Sequence, residues 1–459
     1  MHVQKIISAI FILSIFSCTG GGPRGRDDDD DAQRSGKIYD LEEVAFYDAS
    51  PDISAAGDKV VFLSGREKSL KAFKYTRVLD DVNTTEVDES KDSKPSRVSD
   101  NDYGEEIEVA ISGNGTVVAF VGNKDEVLDI YFTTFADGGT VHQLSDDTGV
   151  ESNISFSPDS SYLLYSKRSN NSVNREVYVV PVAADGTPGE SVKISGTDKD
   201  EFDPIWVPQD AAGSYRVVAK LRDDVNYSQS LLAHDFSTPA SATTSTILSG
   251  AKIAAEKTAF TASKTGVYFS KPNPSSGADR IEGIKPAGNK KSSQKVQVSN
   301  SQYFLATSAT SATAVEVLGF DILSISVNSA GSVGVWTVRE AYLCDSEKDN
   351  DLRYRTSLIL YDYTNQTLLT RIVPQKTKDE SLALWVRTDD VCNNYIGDDK
   401  IRIDADVQFA KISADSTATN FQIAYSTFVS NDSEVRLLTS STTGTVVTDK
   451  FYEVSNNEK

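Results

Sequence analysis

One ten-residue pattern recurs along most of this 459-residue chain: an apolar residue, a short polar turn and a run of apolar residues. Its clearest copy is FSPDSSYLLY at residues 156–165. Proline presets φ for a turn, while aspartate and serine bond to nearby backbone amides. The pattern therefore predicts two strands joined by a tight turn. Four further copies match without a gap: ISAAGDKVVF (53–62), ISGNGTVVAF (111–120), FTASKTGVYF (260–269) and VNSAGSVGVW (327–336).

Two looser copies, which begin at Trp206 and Ile412, need an insertion in the turn. The seven copies start 58, 45, 50, 54, 67 and 85 residues apart, and the shorter intervals suit one four-stranded blade each. A second turn-centred hairpin lies between copies, for example EVYVVPVAADGTPGESVKIS after the third. A four-stranded sheet cannot bury its faces alone, so stacking of the sheets around a common channel is the expected solution.

The expected fold class is therefore all-β. No long run shows the 3.6-residue apolar period of a helix. We predict a single β-propeller over residues 37–459, with seven four-stranded blades preferred and six or eight left open. The alternative is an array of antiparallel sandwiches with similar hairpins, because sandwiches also space their hairpins evenly.

The clearest copy also carries a family resemblance. FSPDSSYLLYSKR, together with the VYVVPV strand that follows, resembles the WD40-like PD40 repeat of the TolB-type β-propellers, and Ser157, Pro158 and Asp159 reproduce the central S-P-D of that repeat. The other copies keep the spacing but lose the proline or the aspartate. The resemblance covers roughly residues 44–451 and implies a periplasmic propeller that docks other proteins. TolB carries an α/β domain before its propeller, whereas here only about 25 residues separate Cys18 from the first blade.

The first 17 residues have the pattern of a secretory signal peptide: Lys5, the apolar run IISAIFILSIF and a small residue before Cys18. The run is short for a membrane span. Its end, ISAIFILSIFSC, resembles a bacterial lipobox, which implies cleavage before Cys18 and lipidation of this cysteine; an uncleaved anchor is the alternative. Thr19 in place of aspartate favours the periplasmic face of the outer membrane. Residues 18–36, rich in glycine and containing five consecutive aspartates, are predicted to be a flexible tether.

Two cysteines remain once Cys18 is assigned to the lipid anchor. An exported protein lies in a compartment that permits disulfides, so we predict a bridge between Cys344 and Cys392. The bridge would close a loop of 48 residues (392 − 344) and contribute about 4 kcal/mol by chain-entropy reasoning. It would tie two long insertions together on one face, where recognition is expected.

The net charge of −21 excludes one class of partner. Such an acidic surface repels phosphate backbones, so no nucleic acid is expected to bind. Basic proteins, cationic glycans or divalent cations would be attracted, although solubility alone also explains the charge. The acidic positions Asp345, Asp349, Asp351, Asp398 and Asp399 suit Ca²⁺ by chemistry but do not match a D-x-D-x-D-G loop. We therefore predict neither a metal nor another cofactor.

Catalytic constellations are missing from the sequence. Histidine occurs only at positions 2, 142 and 234, and His142 and His234 are expected to be stray surface residues. The chain has no G-x-S-x-G, HExxH, CxxC or phosphate-binding glycine loop. We predict a non-enzymatic lipoprotein that binds an envelope protein or peptide through the channel mouth and the loops around Cys344 and Cys392. The oligomeric state is left open.

Two other function classes stay open, each with its own structural signature. A propeller that binds glycans or small ligands would cluster aromatic side chains at one mouth of the channel. A carboxylate-based glycosidase or lyase would place two inward acids opposite each other. With 67 acidic residues in the chain, spacing alone does not select such a pair.

Overall fold

The computed structural model of the chain describes residues 48–453 with gaps at 68, 78–93, 101–102, 125–126, 145–148, 170–171, 198, 209–212, 224–227, 252–259, 265, 273–278, 286–293, 298–315, 344–351, 366, 373–405, 430–431 and 444–445. The chain divides into two compact units, Met1–Val44 and Ala45–Lys459, and all described residues belong to the second. The signal peptide, the tether, Cys18, Cys344, Cys392 and the five acidic positions considered for Ca²⁺ lie outside the described residues. The statements about them remain predictions.

The described residues form seven antiparallel sheets, each built from four consecutive strands. The first three sheets contain β1 (Asp48–Ile53), β2 (Lys59–Ser64), β3 (Lys71–Thr76) and β4 (Ser96–Arg97); β5 (Glu106–Ile111), β6 (Val117–Lys124), β7 (Val127–Thr134) and β8 (His142–Gln143); and β9 (Val150–Phe156), β10 (Tyr162–Arg168), β11 (Glu176–Pro181) and β12 (Val192–Lys193).

The fourth and fifth sheets contain β13 (Asp200–Val207), β14 (Tyr215–Asp223), β15 (Ser228–Phe236) and β16 (Thr243–Ala251); and β17 (Phe260–Ser263), β18 (Gly266–Pro272), β19 (Asp279–Lys285) and β20 (Gln294–Gln297). The last two contain β21 (Glu316–Val327), β22 (Val333–Leu343), β23 (Leu352–Asp362) and β24 (Thr367–Ile372); and β25 (Asp406–Ile412), β26 (Asn420–Val429), β27 (Asp432–Thr443) and β28 (Val446–Glu453). A short 3-10 turn covers Pro239–Ser241.

The first strand of each sheet lies innermost. β1, β5, β9, β13, β17, β21 and β25 contact one another in that order, and β25 contacts β1. The seven first strands therefore surround a common channel as a closed ring. The prediction of a single all-β propeller with four-stranded blades is confirmed, and the sandwich array is excluded because the sheets share one centre. Within the described residues, no helix is both long and apolar enough to cross a membrane.

The core of the propeller lies between neighbouring sheets. In β2, Val60 and Phe62 pack with residues of the first and seventh sheets, whereas Val61 and Leu63 pack with residues of the first and second sheets. Both faces of a blade are thus buried, which explains why its second strand is a continuous apolar run rather than an alternating one. Comparable apolar clusters fill the interfaces between sheets two and three, three and four, four and five, and six and seven.

A side-chain oxygen at the second residue of the ten-residue pattern stabilises the turn that follows it. The Ser157 Oγ accepts hydrogen bonds from the amides of Ser161 (3.1 Å) and Tyr162 (3.0 Å) and donates to the Asp159 Oδ1 (2.6 Å). The same role falls to Ser112 in the second sheet and to the Asn328 side-chain oxygen in the sixth. A side-chain acceptor at this position satisfies the two amides at which the returning strand begins.

The copy that begins at Phe260 differs from the others, although its letters match without a gap. Its first strand continues to Ser263, which pairs with Gly266, so the two strands are joined by two residues only. In the other gap-free copies the first strand ends near the first residue of the pattern, for example at Ile53 or Phe156. The apolar spacing predicted this hairpin correctly but predicted the wrong kind of turn. The observed two-residue turn needs no capping side chain.

Candidate functional site

The turns that join the first and second strands of the blades form a belt around one end of the channel. Five hydrogen bonds link neighbouring turns, with the amide donating in each: Lys264 to the Ser329 carbonyl (3.1 Å), Ser329 to Ala414 (3.1 Å), Asp415 to Ala55 (3.2 Å), Ala55 to Gly113 (2.9 Å) and Asn114 to the Ser160 Oγ (3.1 Å). The belt thus runs from the fifth sheet through the seventh and first to the third.

The sequence motif Ser157, Pro158, Asp159 lies in this belt, between β9 and β10. The Tyr215 hydroxyl of the fourth sheet donates to the Asp159 Oδ2 at 2.7 Å, so the motif links two blades. Burial opposes ionisation of Asp159, but hydrogen bonds from Ser157, Tyr215 and Ser161 outweigh it and hold the pKa of Asp159 below its usual value. Burial, followed by the hydrogen bond to Asp159, raises the pKa of Tyr215 to about 12. This geometry assigns the motif a structural role.

The opposite end of the channel is where the inner strands begin. Strands alternate in direction within each sheet. β22 therefore ends at this end of the channel and β23 begins there. In the same way, β24 ends there and β25 begins there. The segments that contain Cys344 and Cys392 leave the ring from these strand ends. Cys344 and Cys392 themselves lie outside the described part of the chain, and the bridge between them stays a prediction.

A bulge interrupts most inner strands halfway along the channel. The register shifts between Ala49 and Asp52 in β1, Glu106 and Glu108 in β5, Phe202 and Ile205 in β13, Ile322 and Ser324 in β21, and Gln408 and Lys411 in β25. In β9 the shift lies between Ser152 and Ser155. Bulges turn side chains away from the alternating pattern of a strand. They determine which residues face the channel.

What we call the channel ring is a set of residues on six inner strands that share a position relative to the sequence pattern. Each lies three positions before the first residue of its ten-residue pattern. The members are Ser50, Glu108, Asn153, Asp203, Ser324 and Phe409. Five of them are half-buried, and Phe409 is 37% exposed.

Acidic side chains five positions before the pattern are structural. Asp48, Glu106, Glu151 and Glu201 occupy this position in the first four sheets, and all are buried. Glu106 accepts from the amide of Ala72 (2.6 Å) and Glu151 from that of Ile130 (3.1 Å), each in the preceding sheet. Glu106 and Glu151 therefore join neighbouring blades, whereas Asp48 and Glu201 bond to Arg66 and His234 of their own blades.

Three further acids of the inner strands, which we call the channel acids, are half-buried: Asp52, Glu108 and Asp203. The Asp52 Oδ2 accepts from the amide of Ile111 (3.0 Å), and the Glu108 Oε2 accepts from the amide of Ile154 (3.0 Å). Lys220 Nζ lies 2.8 Å from the Asp203 Oδ2. Asp52 and Glu108 therefore link neighbouring inner strands, whereas the charge of Asp203 is paired with that of Lys220.

Two of these acids have raised pKa values. Burial raises the pKa of Glu108, the amides of Asn153 and Ile154 oppose this shift, and the charge of Asp203 adds to it. Burial also raises the pKa of Asp52, although the charge of Lys411 and two backbone amides oppose the shift. A group with a raised pKa is ionised at a cost, and a positive charge placed nearby reduces that cost.

The expectation that His234 is a surface residue is wrong. Its side chain is 0% exposed; Nε2 lies 2.8 Å from the Glu201 Oε2 and Nδ1 lies 3.1 Å from the Thr244 Oγ1. His234 lies in β15 of the fourth sheet, and Glu201 of the same sheet supplies the polar partner that a buried imidazole requires. His142 lies half-buried in β8. Neither histidine belongs to an inner strand.

Metal ligands do not gather among the described residues: no group of three or more His, Cys, Asp or Glu side chains could hold an ion there. On the inner strands, Phe409 is an aromatic ring that is 37% exposed. Among the inner-strand acids, the charge of Asp203 acts on the carboxyl group of Glu108.

Comparisons with known proteins support the fold and go no further. No protein-family model matches the chain, and no curated protein is similar to it in sequence. Among solved structures, an oligogalacturonate lyase in complex with manganese aligns with a TM-score of 0.50 and 12% identity, over 86% of this chain and 90% of that chain. The β-propeller domain of the Trilobed protease from Pyrococcus furiosus aligns with a TM-score of 0.48 and 9% identity, over 90% of this chain and 96% of that chain.

TolB from Acinetobacter baumannii is also similar, with a TM-score of 0.35 and 10% identity over 52% of either chain. The chain is thus a β-propeller, and TolB is among the propellers that it resembles in fold. The similar structures include proteins named as enzymes as well as TolB, so the fold does not decide between catalysis and binding.

Proposed function

We propose that the protein is a non-enzymatic docking propeller of the bacterial cell envelope, attached by a lipid on Cys18 to the periplasmic face of the outer membrane. A partner protein or peptide approaches the end of the channel where the inner strands begin, opposite the belt of turns. The connections that contain Cys344 and Cys392 leave the ring at that end and provide the loop surface for recognition.

The state of the channel acids carries this proposal. Asp52 and Glu108 each accept an amide of the neighbouring inner strand, and Asp203 is paired with Lys220. A general acid or base has to be able to move a proton to the substrate, whereas these carboxylates already hold the ring together. They attract a positive group without reacting with it. The total charge of −21 extends the same preference over the whole molecule.

Co-purification from detergent-solubilised envelopes tests the docking function. The full-length protein is compared with a variant in which the segments 344–351 and 373–405 are shortened. A matched control shortens the exposed connection 183–190, which lies at the belt end. We expect one partner in constant ratio with the wild type and the control, and its loss from the first variant. Equal recovery with all three proteins would refute the placement of the interface.

Carboxylate chemistry is the second candidate, favoured by the interaction between Glu108 and Asp203. A pair of carboxylates on inner strands is the pattern of a glycosidase. The test is the release of reducing ends or unsaturated products from a panel of oligosaccharides. Turnover by the wild type that disappears in Glu108→Gln, a change that keeps the amide acceptor, would establish an enzyme and displace the docking proposal.

A further inference from the structure

The fifth sheet differs from the rest of the ring in its charge. From the start of its first strand to the end of its fourth, residues 260–297, it contains seven Lys and Arg residues and two Asp and Glu residues, a net charge of +5 (7 − 2). Counted between the same bounds, the other six sheets carry −1, −5, −1, −4, −3 and −3 in chain order. One sheet, which we call the basic sheet, thus lies in a ring of acidic sheets.

The cations of the basic sheet lie toward the rim of the ring. Its strands follow one another in the order β17, β18, β19 and β20, from the channel outward. Lys271 is in β18, Arg280 and Lys285 are in β19, and Lys295 is in the outermost strand β20. Lysine and arginine are almost never fully buried unless they are paired. These strand positions therefore make the outer part of the sheet positively charged.

The pairing of its strands does not compensate these charges. Neither acid of the basic sheet, Asp279 or Glu282, has a cation as its cross-strand partner. Lys271 is instead paired with Arg280, and like charges directly opposite each other destabilise a sheet. The stability of the sheet alone does not favour this arrangement, whereas an anionic surface outside the sheet would offset the repulsion.

Three acids of the neighbouring fourth sheet already have cationic partners. The ion pairs join them to residues of the third or fourth sheet: Asp200 to Arg175 and Arg222, Asp203 to Lys220, and Asp235 to Arg216. These carboxylates therefore do not account for the excess of cations in the basic sheet.

We propose that the basic sheet rests on the anionic leaflet of the membrane to which the protein is anchored. This inference rests on the proposed lipid anchor, since the tether keeps the propeller next to that leaflet. A bilayer is flat, so it meets the rim of a ring and not its channel. The leaflet repels the acidic sheets across the ring only weakly, because charges more than about 8 Å apart are largely screened at about 0.15 M salt. Both ends of the channel then remain open to a periplasmic partner.

The reactivity of lysine side chains tests this contact in the full-length lipoprotein. The protein is reconstituted in phosphatidylglycerol or phosphatidylcholine vesicles, and the rate of acetylation of each lysine is measured by mass spectrometry. We expect Lys285 and Lys295 to react severalfold more slowly on the anionic vesicles, and high salt to remove the difference. Lys193 is the matched control, because it is exposed on the outermost strand of the acidic third sheet. Equal rates on both kinds of vesicle, or equal protection of Lys193, would overturn the proposal.

Charge variants test the same surface without the lipid. Cys18→Ser protein is sedimented with phosphatidylglycerol vesicles at about 0.01 M salt, where screening is weak, and phosphatidylcholine vesicles measure any contribution of the leader. Each cation near an anionic surface strengthens binding about fivefold. We therefore expect Lys285→Gln with Lys295→Gln to weaken binding by about 25-fold, and Lys193→Gln to leave it unchanged. Binding of the double variant that equals that of the parent protein would refute the basic sheet as the contact.

The outcomes separate this inference from the proposals on which it rests. Protection of Lys285 and Lys295 by an added acidic protein, and not by anionic vesicles, would assign the basic sheet to a protein partner and refute the membrane contact. Protection by anionic vesicles without any co-purifying envelope partner would support the membrane contact and remove the docking function. Charge-dependent vesicle binding by a wild-type protein that carries no lipid would likewise support the contact and remove the anchor.

Discussion

Replacing Ser157 with alanine removes one hydroxyl from the turn between β9 and β10. The Ser157 side chain is 1% exposed, and its oxygen accepts from the amides of Ser161 and Tyr162. Ser161 keeps an acceptor in the variant, because the Asp159 Oδ1 also lies 3.1 Å from its amide. Tyr162 loses its side-chain acceptor. One buried donor left without a partner costs about 1 to 3 kcal/mol, and this is the expected loss in the free energy of unfolding.

A rescue variant comes from another blade of the same chain. In the sixth sheet Asn328 accepts from the amides of Ser332 (2.9 Å) and Val333 (3.1 Å) in the same geometry. Ser157→Asn should therefore recover most of the stability that Ser157→Ala loses. Urea unfolding measures the global effect, and hydrogen exchange at the Tyr162 amide measures the local one. If Ser157→Ala unfolds within about 0.5 kcal/mol of the wild type, or if asparagine stabilises no better than alanine, the turn explanation is refuted.

Three further predictions concern charge, anchoring and the cysteines. The pKa of Glu108 is raised in the fold, so its contribution is fully present below the unfolded value of 4.5 and is lost as pH rises through the folded value; Glu108→Gln should therefore stabilise the protein against urea at pH 7 and bring no gain below pH 4.5. Cys18→Ser should release the protein from membranes in a fractionation experiment, and continued sedimentation with them would exclude a lipid anchor. Cys344→Ser and Cys392→Ser should each lower the free energy of unfolding by about 4 kcal/mol and remove the mobility shift between reducing and non-reducing gels, whereas identical mobility of the wild type in both gels would exclude the bridge.

The hairpins were predictable from the sequence because each is encoded locally. An apolar residue, a side-chain acceptor and an apolar run identify two strands and the turn between them, and four of the five gap-free copies have that arrangement in the structure. The exception at Phe260 shows the limit of the method. A two-residue turn leaves the apolar spacing almost unchanged, so the pattern does not distinguish it from the longer, capped turn.

The residues of the channel were harder to predict for a physical reason. An alternating strand assigns each side chain to a face, but a bulge inserts a residue and changes the assignment for everything before it. Glu108 and Phe409 precede their turns by the same three positions, yet nothing in the local letters marks them as facing the channel. The buried acids at Glu106 and Glu151 had a usable signal, since both stand five positions before the pattern. Comparing columns of the aligned copies would have found them.

The way each sheet buries both of its faces limits how a chain of this kind can change in length. Removing one hairpin would leave two facing apolar surfaces without cover at the same time, whereas adding residues to a connection disturbs neither face. The ring can therefore lengthen or shorten only by whole sheets. Smaller changes in chain length accumulate in the segments that join the sheets.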